Sequence, residues 1–163
     1  MPFEAYLDIE TTGLNPSGCE ITVTGIYLHR PDGADCVQFI GRDNTADAIL
    51  EVLKGVDKLY TYNGSRFDLP FINCCLGIDL ARMFPHQDLM FDCWRNRLRG
   101  GLKAVERQLG IARKLPDMNG LEAVKLWWRY VESFDLEALD TLLAYNREDV
   151  VNLKTLKDML CPC

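Results

Sequence analysis

The chain has 163 residues, 48% of them hydrophobic, enough to bury one sizeable core within a single domain over 1–163. Its formal net charge of −6 argues against strong sequence-independent binding to duplex nucleic acid. No stretch approaches the ~18 consecutive apolar residues of a membrane span, and no basic-then-apolar N-terminal segment marks a signal peptide, so a cytoplasmic protein without a membrane partner is expected.

In chain order, residues 5–10 read as a strand. Side chains two apart on a strand share a face, so Asp8 and Glu10 project together while Leu7 and Ile9 point into a core. Further strands are predicted over 20–29 and 35–40, joined by the hairpin-type signal Pro31-Asp32-Gly33. A helix follows over 45–54, then a buried parallel strand over 58–62 that returns beside the first. Next comes Asn63-Gly64-Ser65-Arg66-Phe67-Asp68, with Asp68 near the N-cap of a helix whose first turn tolerates Pro70.

A short segment over 88–91 precedes a strongly basic stretch. Between Arg95 and Lys114 seven basic residues (Arg95, Arg97, Arg99, Lys103, Arg107, Arg113, Lys114) face one acid, Glu106; that segment is +6 and leaves −12 elsewhere. Such a segment can track a phosphate backbone, and a solvated helix face is the alternative. Residues 115–120 form a loop into an amphipathic helix whose Trp127 and Trp128 read as core or interface packing. The last helix, over 136–160, carries apolar residues at Leu139, Leu142, Leu143, Val150, Leu153 and Leu156, and its Tyr145 and Asp149 lie one turn apart on one face. Antiparallel strands followed by strands alternating with helices imply a mixed α/β sheet covered by helices.

Each acidic cluster has an ordinary reading by itself: a solvated strand pair, a helix cap, a surface pair on a helix. Their conjunction points elsewhere. Two like charges about 4 Å apart repel by roughly 4 kcal/mol at an effective dielectric of 20. Asp8, Glu10, Asp68 and Asp149 gathered together therefore call for neutralisation, and hard oxygen donors suit Mg²⁺ or Mn²⁺. A pair of divalent ions is the arrangement that cuts phosphodiester bonds.

These clusters resemble the exonuclease motifs of the DEDD superfamily, ribonuclease H-like 3′–5′ exonucleases that include polymerase proofreading domains. Asp8 to Leu14 is similar to the first motif, and Asn63, Phe67 and Asp68 to the second. Tyr145 and Asp149 match the tyrosine form of the third, called DEDDy; neither His29 nor His86 has the aspartate five positions on that the histidine form needs. Gly101-Leu102-Lys103-Ala104-Val105-Glu106 and Leu109-Gly110-Ile111 also look like a prokaryotic subfamily of predicted exonucleases.

The resemblance implies a ribonuclease H-like mixed five-stranded sheet, three antiparallel strands then parallel strands, flanked by helices. It implies hydrolysis at the 3′ ends of single-stranded DNA or RNA, DNA favoured, with two divalent metal ions. Asp8 would bridge both ions, Glu10 and Asp149 would complete the water-activating site, and Asp68 would hold the second ion. Tyr145 would orient the attacking water. Thr11, Thr12, Leu14, Asn63 and Phe67 would shape the pocket for the terminal nucleotide, ordinary loop and core packing being the alternative for each. A structure-specific endonuclease and a non-catalytic nucleic-acid-binding module are the competing readings. A small catalytic fold of this kind would bind a short end weakly, form a homo-oligomer or rely on a protein partner.

The seven cysteines include an adjacent pair, Cys74 and Cys75, and a terminal Cys161-Pro162-Cys163. An odd count without paired Cys-x-x-Cys spacing reads as buried reduced thiols plus a free tail rather than a disulfide framework or zinc site. Metal chelation or crosslinking through Cys161 and Cys163 has no second feature behind it.

Overall fold

The computed structural model describes residues 1–160, and its sheet is built outward from a central strand. That strand, β1 (Glu4–Thr11), pairs antiparallel with β2 (Ile21–Arg30), and β2 pairs antiparallel with β3 (Gly33–Ile40). On its other side β1 runs parallel to β4 (Lys58–Thr61), and β4 runs parallel to β5 (His86–Asp88). The order β3-β2-β1-β4-β5 is the expected mixed five-stranded sheet.

Alternation along β1 decides what lies on either side. Ala5, Leu7 and Ile9 enter a core formed with α1 (Ala46–Val52), α2 (Asp68–Leu76) and α3 (Leu80–Met83), through Ile49, Leu53, Ile72 and Leu80. Each buried Leu or Ile among them contributes about 1.5–3 kcal/mol by leaving water. Tyr6 faces the opposite way, stacked at 5.0 Å on Tyr60. It packs there with α4 (Leu89–Arg95), α5 (Leu102–Leu109) and the long α7 (Leu136–Leu160), through Leu89, Val105 and Leu153. A third cluster joins Val23 to Trp127 of α6 (Gly120–Ser133) and to Leu142 and Tyr145 of α7. Asp8 and Glu10 belong to the α7 face. Trp127 is core, as expected, whereas Trp128 is 42% exposed.

Two local expectations change. The short segment expected over 88–91 is instead the end of β5 and the start of α4, because Asp88 caps the helix by accepting from the Met90 N–H at 3.1 Å. Asp68 lies next to the N-cap of its helix, as expected: Phe67 stands at the cap position, Asp68 is the first residue of α2, and its Oδ1 accepts the Ile9 N–H of β1 at 3.0 Å. The helix expected over 45–54 is trimmed to Ala46–Val52, with Thr45 capping Ala48. Cys19, Cys36, Cys74, Cys75 and Cys93 are free thiols, as expected, but only Cys93 is fully buried and Cys74 and Cys75 are exposed on α2; Cys161 and Cys163 lie outside the described residues. Among the described residues no helix is long and apolar enough to cross a membrane.

The seating of α7 on the sheet depends on Gly25 in β2. A Cβ there would stand 2.1 Å from Oδ1 of Asn146, which is fully buried on α7. Asn146 donates to the Asp8 carbonyl and to Asp8 Oδ2, both at 3.2 Å, and accepts from Gln38 Nε2 at 2.9 Å. Gly25→Ala is therefore expected to destabilise the fold by about 1–3 kcal/mol, as overpacking does. A urea-denaturation midpoint unchanged from the parent would refute this close approach.

Candidate active site

The acidic residues meet at one end of the sheet, beyond the C-terminal ends of the parallel strands. Asp8 and Glu10 project from β1 and Asp149 from α7, so that one carboxylate oxygen of each lies within 4.8 Å of the others. Directly after Glu10 the β1–β2 register shifts, an irregularity that turns the chain away beyond the carboxylates. Asp68 is buried at the start of α2, and its carboxylate is tied to β1 rather than joined to this trio.

The charges tell on one another. Burial and then the neighbouring charges of Asp149 and Asp68 push the Asp8 carboxyl well above its ordinary range, and Glu10 is raised for the same reasons. Burial pushes Asp68 up to about 7, against the pull of the Ile9 N–H. Asp149 is pushed up to about 6 by burial, although Arg113 acts in the opposite direction. Tyr145, buried beside these carboxylates, is raised by burial and then by the charge of Asp149.

Arg113 is the counterweight. Its side chain is 5% exposed; it donates to both Glu106 oxygens at 2.9 and 2.8 Å and to Asp149 Oδ1, and its Nε lies 3.3 Å from Glu148. Glu106 in turn accepts from Asn152 Nδ2 at 3.0 Å, and Glu148 accepts the N–H groups of Lys114 and Leu115 at 2.6 and 3.2 Å. Lys103 also turns inward. Its Nζ stands 4.6 Å from the centre of the Tyr145 ring, buried and without a hydrogen-bond partner among the described residues. The basic stretch is thus not one solvated or phosphate-tracking face: Arg113 and Lys103 serve the acidic cluster.

A cleft of about 420 Å³ adjoins Glu10. Ile9, Thr11, Thr12, Leu14 and Phe67 line it, with Leu121 and Val124 from α6 on the far side. Leu14 is 85% exposed at its mouth. The Thr12 hydroxyl accepts the Glu20 N–H at 2.9 Å, and the Thr11 hydroxyl donates to the Gly13 carbonyl at 2.6 Å, which fixes the loop below Leu14. Asn63 is set apart from the cleft lining. It sits at φ 59° in the turn after β4, its N–H and that of Ser65 held by the Asp88 carboxylate at 2.7 and 3.0 Å.

Arg113, Lys103, Asn146, Asp88, Leu121 and Val124 were not singled out as site residues from the sequence. Asn146 had a usable signal, its place beside Tyr145 on the inner face of α7. The others reach the site through tertiary contacts that no local pattern encodes.

A mixed sheet of this order, with acids on the central strand and on the helix across it, is the ribonuclease H-like architecture. The chain belongs to the RNase H superfamily, whose family model matches residues 5–161. It is 30% identical over 166 residues to the uncharacterized protein YprB of Bacillus subtilis (strain 168), covering 93% of this chain and 40% of that protein. It is 29% identical over 172 residues to the uncharacterized protein MJ0365 of Methanocaldococcus jannaschii, covering 98% of this chain and 96% of that one. In fold it is similar to the family B DNA polymerase of Pyrobaculum calidifontis, with TM-score 0.75, 16% identity, and coverage of 98% of this chain and 24% of the polymerase. Brucella melitensis NrnC bound to pGG is similar too, with TM-score 0.62, 24% identity, and coverage of 96% and 71%. The chain therefore spans less than half of YprB and about a quarter of the polymerase, but nearly all of MJ0365.

Raised carboxyl pKa values set the sign of a pH effect. Below the unfolded range near 4 both states hold these protons; between about 4 and 7 the native state holds more, so stability falls as pH rises through that window. In EDTA the melting temperature is expected to fall between pH 5 and pH 8, and Asp68→Asn to make the fall shallower. A parent protein whose melting temperature holds or climbs over that interval would contradict the assignment. Arg113→Ala, which strands Glu106 in the interior, is expected to cost about 3–5 kcal/mol in denaturant titrations; a loss below 1 kcal/mol would mean that the network is not buried as described.

Proposed function

We propose that this chain is a metal-dependent 3′–5′ exonuclease that hydrolyses the terminal phosphodiester of single-stranded nucleic acid, with DNA favoured over RNA. The observation that carries this reading is the convergence of Asp8, Glu10 and Asp149 beside a cleft of about 420 Å³. The donor set fits divalent cations: hard carboxylate oxygens, close enough to raise one another's pKa values. Bound Mg²⁺ or Mn²⁺ ions, two in this reading, supply nucleophile activation and charge neutralisation at the phosphate.

The chain's own residues do the rest. Asp8, Glu10 and Asp149 would hold one ion, and Asp68 together with Asp8 would hold the second. Asp68 is kept in place by the Ile9 N–H, and Asp149 by Arg113. The Tyr145 hydroxyl orients the attacking water and keeps its proton, since burial raises its pKa. Leu14 and Phe67 wedge the terminal base, Thr11 and Thr12 hold the loop that carries Leu14, and the Asn63 turn places Phe67 and Asp68. An apolar wedge beside an aromatic ring suits an unstacked strand end rather than a paired duplex.

With 5′-labelled single-stranded DNA and RNA in Mn²⁺, a ladder shortening from the 3′ end is expected, and EDTA should abolish it. Asp8→Asn and Asp149→Asn are each expected to lower the rate by more than about 100-fold, exceeding the loss typical of an outer-shell partner. Tyr145→Phe should lower it by about 10-fold or more while Mn²⁺ still raises the melting temperature. Discrete internal cuts would favour an endonuclease, and no metal-dependent cleavage of either strand would favour a binding module.

A further inference from the structure

A second surface, outside the acidic centre, combines exposed cationic groups with half-buried aromatic rings. It lies on α4, on the loop that follows it and on the turn between β4 and α2. Phe91 and Trp94 are three apart on that helix, half-buried, with ring centroids 5.3 Å apart in an edge-to-face pair at 85°. The Arg66 guanidinium stands over both rings, 5.6 Å from Phe91 and 5.4 Å from Trp94, and Arg99 stands 5.8 Å from Trp94. Arg95 and Arg97 are exposed beside them.

Charge is the informative feature here. Among the described residues Arg66, Arg97 and Arg99 have no carboxylate within ion-pairing distance, while Arg95 pairs with Asp92 and is 69% exposed. On a chain of net charge −6, this gathers guanidinium groups where few acids balance them. The backbone beneath is anchored: Tyr62 donates to the Gly100 carbonyl at 2.6 Å, Gln108 to the Arg99 carbonyl at 2.7 Å, and the Leu98 N–H to the Cys93 carbonyl at 2.9 Å. Arg97 sits at φ 63°, a left-handed conformation that suits glycine better than a long side chain. The fold thus keeps a cation where local stability asks for none.

The two surfaces are joined through one loop. Phe67 lines the cleft beside Glu10, and its neighbour Arg66 lies over the aromatic pair. We propose that Arg66, Phe91, Trp94, Arg97 and Arg99 form a platform for the nucleotides 5′ of the strand end held in the cleft. This rests on the reading of the acidic centre as a site for a single-stranded 3′ end. Guanidinium groups meet the phosphates, and the rings offer sequence-tolerant stacking to bases that are already unpaired. An anionic polymer with exposed π-faces matches both halves of the surface.

The test is fluorescence anisotropy with 5′-labelled oligothymidylate and oligouridylate 12-mers and a thymidine dinucleotide, in EDTA and at several salt concentrations. Arg66→Ala/Arg99→Ala is expected to weaken 12-mer binding by 10-fold or more and to make the log–log salt slope shallower by about 1.4, with the dinucleotide unaffected. Arg97→Gly is expected to leave the melting temperature equal or higher, yet to weaken 12-mer binding and flatten the slope by about 0.7. A role in packing alone would move stability and not the slope. Unchanged 12-mer affinity and slope in both variants, or no 12-mer binding by the parent at low salt, would overturn the platform. The two 12-mers separate DNA from RNA. Hydrolysis of the p-nitrophenyl ester of thymidine 5′-monophosphate in Mn²⁺ reports separately on the acidic centre: ester hydrolysis with variant binding intact removes the platform alone, whereas variant-sensitive binding without hydrolysis removes the exonuclease reading alone.

Discussion

Like charge held away from water is the constraint around which this molecule is arranged. Asp8, Glu10 and Asp149 share a few ångströms of space, with Asp68 near enough to be felt. No apolar packing offsets such repulsion. It is met by carboxyl pKa values raised at Asp8 and Glu10, by Arg113 against Asp149, and by the Asn146 amide against Asp8. Arg113 would itself be costly to bury, and so it is gripped by Glu106, which Asn152 satisfies in turn. The chain of compensation runs from β1 through α7 to α5. Its members are spread over almost the whole sequence.

The sheet makes that concentration of charge mechanically tolerable. One face of β1 is devoted to aliphatic packing under the first three helices, which anchors the strand independently of its carboxylates. The other face carries Glu4, Tyr6, Asp8 and Glu10 in succession. At its far end Glu4 accepts the Tyr6 and Tyr60 hydroxyls at 2.6 and 3.2 Å and lies 3.1 Å from Lys157. The same helix, α7, thus covers a satisfied carboxylate at one end of the strand and a frustrated group at the other. The first is a paired, hydrogen-bonded carboxylate, and the second is where like charges crowd.

Much of this was legible in the sequence because it is periodic. The two-residue alternation of β1, the hairpin signal at Pro31-Asp32-Gly33 and the helical spacing of 136–160 each encode a local geometry, and each appears in the fold as expected. Tyr145 and Asp149 lie together because helical spacing alone requires it. What was not legible is what depends on distant chain. Arg113 meets an aspartate 36 positions away, and inside a basic stretch it looks like any solvated arginine. Asp68 has the sequence context of a helix cap, but a β1 amide 59 positions earlier claims its oxygen. Asp88 ends β5 and caps α4 at once, a double role set by its pairing beside β4 and its bond to Met90. Leu121 and Val124 reach the cleft only because α6 folds back across the end of β1.

The alternation of β1 has a further bearing, on how the strand finds its partners. Sliding it by one residue against β2 and β4 would turn Leu7 and Ile9 outward and drive Asp8 and Glu10 into the aliphatic layer formed by Ile49, Leu53 and Ile72. An apolar strand in the wrong register forfeits packing; this one would also have to submerge two ionisable groups in hydrocarbon. The residues that make the site thus act as an error check on strand pairing. Replacing them with neutral side chains would loosen that check, leaving a protein whose finished structure is calmer but whose assembly has more wrong answers open to it.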